Sequence, residues 1–162
     1  MTESWNSRVA QVWASAAQNR TMNTVQLIDA LVAERPENDA AAVFEAASVR
    51  DFVGKEAEAE PLYRRALELG LPDPLAARAV IQLASTLRNL GRAEEAIRVL
   101  QDGFAENPNH ELADAARAFL ALCLVDTGDA RAATAVALDA LAGHLPEYSG
   151  AVRAYAGDLL LT

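Results

Sequence analysis

The side chains best suited to molecular recognition lie in one stripe of a predicted helix. Arg78, Ile81, Ser85 and Arg88 are three and four residues apart, and Asn89 follows directly. Residues with this spacing share one helix face. An arginine can hold a carboxylate through two N–H groups, and an asparagine can pair with both edges of a peptide bond. The stripe predicts a surface for an extended acidic or C-terminal peptide; the alternative is an ordinary solvated face.

Cysteine and histidine offer little chemistry in this sequence. Cys123 is the single cysteine, and it falls on the inward side of a predicted helix, where a thiol packs as a small apolar group. A nucleophile would need a neighbouring base and a positive setting, and the sequence places neither beside it. His110 and His144 fall in predicted turns, and a metal site would need them to converge with a third ligand. We therefore expect no metal.

Carboxylate runs and glycine turns do not indicate catalysis. Glu94, Glu95 and the acidic run at 56–60 lie on predicted exposed helix faces, where charges are usually solvated. Gly54-Lys55 lacks the upstream glycine and downstream hydroxyl residue of a phosphate-binding P-loop. The sequence predicts no enzyme, no catalytic residue and no cofactor.

Composition and charge exclude several classes of partner. The 162 residues carry a formal net charge of −9 and a single lysine, Lys55, whereas nucleic-acid binding needs clustered lysine and arginine. A chain this acidic repels anionic membranes, and no apolar run approaches the ~18–20 residues of a membrane span. The first twenty residues lack a basic region followed by an apolar core, so no signal peptide is expected. We expect a cytoplasmic protein that binds neither nucleic acid nor membrane.

Three columns of residues recur with a period of 37, and they decide which elements position the polar stripe. A fixed period of this size indicates one supersecondary unit stacked on copies of itself. Strong helix formers dominate the composition and alternating β-branched runs are missing, which predicts an all-α chain. The columns are Gly54, Gly91 and Gly128; Ala59, Ala96 and Ala133; and Leu67, Phe104 and Leu141.

The middle copy has the clearest helix signals. Residues 78–90 and 92–106 each place apolar side chains on one face, which predicts an antiparallel helix hairpin. Asp73 is a suitable N-cap with Pro74 as the first helical residue. Gly91 suits the left-handed residue that closes the first helix.

This copy resembles the tetratricopeptide repeat. The chain is similar to bacterial proteins of that family. The resemblance covers residues 39–146 and is carried by Val80-x2-Leu83-Ala84-x2-Leu87, Ala96-x3-Leu100 and Pro108. It implies an α-solenoid of antiparallel hairpins, a superhelix of about nine helices. It also implies a non-enzymatic scaffold that binds a peptide or protein segment in a concave groove.

The outer copies depart from the repeat pattern. Arg50 in the first copy, and Arg117 and Ala137 in the third, stand where large apolar residues are usual. Pro61 lies past the first turn of its helix, which predicts a local bend or a late helix start. We expect one domain over residues 1–162, made of a degenerate hairpin (1–38), three repeats (39–73, 74–110 and 111–146) and a capping helix (147–162).

The inward-facing positions of the first helices define the predicted peptide-binding residues. The lysine and asparagine clamp that some relatives use for a terminal carboxylate is not reproduced, so a chaperone-tail clamp is not expected. The alternative is that these positions are ordinary packing and surface residues without a binding role. The set is Phe44, Ser48, Asp51, Arg78, Ile81, Ser85, Arg88, Asn89, Leu122 and Val125.

Apolar residues at the chain's ends suggest a second function. The segment 159–161 is three leucines, which is more apolar than a capping helix with a wet outer face should be, and Tyr148 and Tyr155 precede it. Trp5 and Trp13 mark the other end. The alternative prediction is a homodimeric assembly module that uses its terminal helices, and both functions can coexist.

Overall fold

Helices account for all the regular structure in the part of the chain that is described. The computed structural model describes residues 3–16 and 22–161, without the side chain of residue 22. Within these ranges there are nine helices and no strand, which confirms the all-α prediction. They are α1 (Trp5–Ala16), α2 (Met22–Val32), α3 (Ala40–Phe52), α4 (Glu56–Glu68), α5 (Leu75–Asn89), α6 (Ala93–Ala105), α7 (Ala113–Asp126), α8 (Ala130–Ala142) and α9 (Ser149–Asp158).

The chain divides into two compact units. The first comprises residues 1–82 and the second residues 83–162, so the boundary falls inside α5. The single domain expected from the sequence over residues 1–162 stays a prediction. None of the helices in the described ranges has the length and apolar character needed to cross a membrane.

The repeating glycines close hairpins with one shared geometry. Each has a positive φ, between +75° and +89°, which glycine adopts without a side-chain penalty. The N–H of Gly91 donates to Arg88 O at 2.9 Å, and the next N–H, of Arg92, donates to Leu87 O at 2.9 Å. This is the Schellman ending of a helix, and it satisfies carbonyls that would otherwise lack partners. The same two bonds recur around Gly54 and Gly128.

The core of the first unit lies among α1, α2 and α3. Ile28 and Val49 are fully buried there, and Trp5 and Trp13 pack against the same cluster. The indole N–H of Trp5 donates to Leu31 O at 2.8 Å, so the buried side of this large ring keeps its polar atom paired. The expected N-terminal hairpin is thus packed on the first repeat. Residues 17–21 of this expected hairpin (1–38) lie outside the described residues.

The alanine columns are buried within each unit. Ala59 in the first unit is fully buried, and so is Ala96 in the second, with Ala133 nearly so. A larger side chain at such a position would overpack the contact, at a typical cost of ~1–3 kcal/mol. The small columns read from the sequence therefore have their expected place between helices.

Two local expectations about helix starts differ from the structure in part. Helix α5 begins at Leu75, one residue after Pro74, which was expected as the first helical residue. The N–H groups of Ala76 and Arg78 donate to Pro72 O and Pro74 O, both at 3.1 Å. The role of Asp73 as the N-cap stays a prediction. Helix α4 begins at Glu56 and continues through Pro61, so of the two alternatives the late start did not occur and the local bend stays a prediction. Two acidic residues in its first turn favour that early start through the helix dipole.

Candidate functional site

The groups that could do covalent or metal chemistry are held in structural roles. Cys123 is fully buried, and burial raises the pKa of its thiol, which disfavours the reactive thiolate. His144 Nε2 lies 2.8 Å from Asp114 Oδ2, whereas His110 Nδ1 accepts from the backbone N–H of Leu112 at 3.0 Å. Within the described ranges, no three His, Cys, Asp or Glu side chains converge as a metal site.

The predicted site residues of α3 are covered rather than open. Phe44 is buried with its ring 6.1 Å from that of Tyr63 on α4. Ser48 is also buried, and its hydroxyl donates to Gln82 Oε1 at 3.4 Å. Asp51 is half-buried and accepts from the hydroxyl of Tyr63 at 3.2 Å. These three residues support the face of α3 and leave little of their own surface for a ligand.

A carboxylate that the sequence analysis did not single out lies among them. Glu45 is half-buried, and its Oε2 accepts from the indole N–H of Trp13 at 2.6 Å. Burial raises the pKa of Glu45, and the bond from Trp13 and the charge of Arg78 oppose that rise. In the sequence, Glu45 lies between the predicted site residues Phe44 and Ser48, which could have drawn attention to it. Its partner Trp13 could not be predicted in this way, because α1 lies outside the repeat columns.

Within the first unit, α5 contributes one buried and one open site residue. Ile81 is buried, so it packs and does not line a surface. Arg78 is exposed and forms no ion pair with any residue in the described ranges. Its positive charge nevertheless acts on the half-buried carboxylate of Glu45, whose pKa it lowers against the larger effect of burial.

The second unit holds the most open of the predicted site residues. Leu122 and Val125, three residues apart on α7, are 46% and 56% exposed. Arg88, near the end of α5, is paired with Asp126, the last residue of α7: Arg88 Nε lies 2.6 Å from Asp126 Oδ2. Ser85 is half-buried and Asn89 exposed. We call Leu122, Val125 and the Arg88–Asp126 pair the Leu122 surface.

The sequence analysis expected the guanidinium of Arg88 to be available to a ligand, but in the structure it is paired with Asp126. Helix α7 places the carboxylate of Asp126 against the guanidinium of Arg88. Both side chains remain about one-third exposed, so the pair is a solvated one. A partner carboxylate would have to compete with Asp126 for Arg88.

The described residues form antiparallel helix hairpins that are closed by the same glycine turn. These features define a helical repeat protein. The sequence matches the family described as Tetratrico peptide repeat over residues 40–159. The chain belongs to the tetratricopeptide repeat family. This confirms the resemblance read from the middle copy.

A solved structure supports the same fold. The structure of PcrH in complex with the chaperone binding region of PopB superposes with a TM-score of 0.55 and 23% sequence identity. The match covers 77% of this chain and 97% of that chain. At this identity it supports the helical repeat fold. No curated protein matches the sequence.

Proposed function

We propose that the protein is a non-enzymatic scaffold that binds a segment of another protein on the inner faces of its first helices, the concave groove of the family. The observation that carries the proposal is the Leu122 surface. Two adjacent large apolar side chains about half exposed, beside a charged pair, are typical of a contact site and not of a solvated helix. Protein binding is also what members of this family commonly do.

The chemistry of the surface indicates the kind of segment that would fit. Covering two half-exposed apolar side chains contributes about 1 kcal/mol each, because full burial of such a residue is worth ~1.5–3 kcal/mol. Arg88, about one-third exposed in its pair with Asp126, can accept a second carboxylate beside Leu122 and Val125. A segment with apolar and acidic side chains is the best match. PcrH, which shares the fold, has a segment of PopB bound.

The buried members of the predicted site have a supporting role in this proposal. Phe44, Ser48 and Ile81 each expose less than a tenth of their surface. Their substitution would change binding through the shape of α3 and α5, and with a loss of stability. Substitution of Leu122 or Val125 would change binding without that loss, because exposed positions contribute within about 0.5 kcal/mol to stability.

A photo-crosslinking experiment tests the proposal in cells. A benzophenone amino acid replaces Leu122 in one variant and Leu141, which is equally exposed on α8, in the control. We expect a defined protein crosslinked at position 122 and not at position 141. A synthetic peptide from that protein should then bind the purified chain, and Leu122→Asp should weaken it at least tenfold. Equal crosslinking at both positions, or a peptide indifferent to Leu122→Asp, would refute the proposal.

Self-association through the C-terminal helix is the second candidate function. Tyr148, Tyr155, Leu160 and Leu161 are all strongly exposed, at 62–82%. A two-fold contact would use the same patch on both copies. Light scattering at ~100 µM decides this, since a stable interface of ~1,000 Å² or more should hold well below that concentration. A monomer there refutes it, and a dimer that Tyr155→Ser dissociates supports it.

We propose a cytoplasmic location without nucleic-acid or membrane partners. A net charge of −9 with one lysine opposes binding to phosphate backbones and anionic lipids. Cell fractionation tests the location, and recovery with membranes or in an extracytoplasmic fraction would contradict it.

A further inference from the structure

An apolar trough of about 370 Å³ lies in the second unit among α7, α8 and α9. Its apolar wall is formed by Leu120 of α7, Ala135 and Val136 of α8, and Ala156, Gly157 and Leu160 of α9. Three charged side chains complete the lining: Arg117, Asp139 and Arg153. The volume falls in the range of small-molecule sites, which are apolar clefts with a few placed polar groups.

The trough lies where the third copy departs from the repeat. The period places Arg117 in the column of Val43 and Val80. It places Ala137 in the column of Tyr63 and Leu100, which are buried, whereas Ala137 is exposed. Arg117 lines the trough, so a charged side chain stands where the other two copies have valine, whereas Ala137 does not line it. The remaining walls are largely apolar, and apolar walls without contacts favour an apolar occupant.

The trough is separate from the Leu122 surface. Leu120 and Leu122 are two residues apart on α7, so their directions differ by about 160° around the helix axis. A ligand in the trough would therefore leave Leu122 and Val125 uncovered. The inference does not depend on the proposed function.

Arg153 gives the trough an open anion contact. Its Nε donates to Asp139 Oδ1 at 3.2 Å, and its two Nη atoms donate to nothing in the described ranges. The pair is half exposed on both sides, hence weak and easily supplemented by a second carboxylate. Arg117, in contrast, is held by Asp114 Oδ1 at 2.6 Å and Pro108 O at 3.1 Å, so it forms a fixed wall.

The charge at the trough differs from that of its surroundings. Residues 83–162 carry six arginines against eleven carboxylates, a net charge of −5. At the trough each arginine has one carboxylate partner, Asp114 for Arg117 and Asp139 for Arg153, so the charges balance there. The Nη donors of Arg153 are the polar groups left for an occupant, and they match an anionic head group.

We propose that the trough binds an amphiphilic carboxylate, with its apolar chain along Val136, Ala156 and Leu160 and its carboxylate on the Nη atoms of Arg153. The ligand class is a medium-chain fatty acid or a molecule of the same chemistry. An arginine fork holds a carboxylate through two parallel N–H bonds, and the apolar chain leaves water on binding.

Titration calorimetry with sodium decanoate, below its micelle concentration, tests the proposal on the full chain. We expect saturable 1:1 binding with a Kd of about 0.05–1 mM, from the usual affinity per heavy atom of small ligands. Decanol should bind more weakly and decyltrimethylammonium not at all. Arg153→Gln should weaken decanoate about five- to tenfold and leave decanol unchanged. Binding without saturation, or equal binding of all three amphiphiles, overturns the proposal.

Two glycine variants locate the site. A Cβ built at Gly157 or Gly150 of α9 meets nothing within 4 Å, so both positions accept a side chain. Gly157→Leu fills the trough and should weaken decanoate at least about tenfold, because the space for the alkyl chain is lost. Gly150→Leu, which does not line the trough, should leave binding unchanged. Equal losses in both variants, or no loss in Gly157→Leu, refute the site.

Amide NMR on the unmodified chain gives an independent reading. Decanoate should shift the amides of Val136, Ala156 and Gly157 and leave those of Leu122 and Val125 in place. Shifts confined to Tyr148 and Tyr155 would assign the effect to the exposed tyrosines and overturn the proposal. So would a dimer that Gly157→Leu dissociates, because the trough would then be covered by a second copy.

Discussion

Replacing the hairpin glycine Gly91 by alanine tests the physical basis of the repeat. Gly91 has φ +75°, and a Cβ built there meets no atom within 4 Å, so the cost is conformational and not steric. A left-handed conformation costs an L-residue about 1–2 kcal/mol. Alanine restricts the unfolded chain, which returns about 0.4–1 kcal/mol. The expected net loss is about 1 kcal/mol of unfolding free energy, or a fall of about 2–4 °C in Tm for a chain of this size.

Two matched variants separate this effect from a general response to alanine. Gly157 lies inside α9 without a positive φ, so Gly157→Ala should raise the unfolding free energy by ~0.5–1 kcal/mol. Gly91→Asn should recover much of the loss, because asparagine tolerates the left-handed region. Urea unfolding followed by far-ultraviolet circular dichroism measures all three. A neutral Gly91→Ala, or an asparagine as harmful as alanine, would refute the reasoning.

Three further predictions concern a helix cap, the thiol and the ion pair of the Leu122 surface. Asp39 caps α3 by accepting from the N–H of Ala42 at 3.0 Å, so Asp39→Ala should cost ~1 kcal/mol in urea unfolding and Asp39→Asn little. Burial works to raise the pKa of Asp39, but the Ala42 N–H and the Arg35 guanidinium outweigh it and hold that pKa below the ordinary 3.8. The charged form therefore stabilises the fold above pH 3.8, and the cost of Asp39→Ala should shrink as the pH falls through the folded pKa. Cys123 should react with a disulfide reagent at pH 8 only as fast as the chain opens, and a native rate equal to that of free cysteine would contradict its burial. Arg88→Ala should cost less than ~1 kcal/mol, since the pair with Asp126 is partly solvated, and a larger loss in thermal melting would show a structural role.

The fold follows from the sequence because its signals are local and repeated. Positive φ at Gly54, Gly91 and Gly128 is a backbone requirement that one residue type meets best, so a column of glycines reports a turn directly. Buried Ala96 and Ala133 report close helix approach in the same way. The start of α5 was missed by one residue because aspartate and proline are both good helix-start residues and their order allows two registers.

The site follows less well because exposure depends on what neighbouring helices place over a position. The period gives Leu122 and Phe44 the same kind of inward position, but Leu122 is 46% exposed and Phe44 is covered next to Tyr63 of α4. Glu45 depends on Trp13, and α1 lies outside the columns that were aligned. The pairing of Arg88 with Asp126 joins residues 38 apart, and nothing in a single sequence marks two charges at that separation as partners.

Both tryptophans of the sequence belong to the first unit, at Trp5 and Trp13, and each is fixed by a hydrogen bond from its indole. Intrinsic fluorescence excited at the red edge of the indole band is therefore a spectroscopic label for residues 1–82. Far-ultraviolet dichroism averages over the helices of both units. The two optical signals will trace one curve against urea only if the units melt together. If the two curves diverge, the two units unfold as separate cooperative units, and no added dye is needed to detect this.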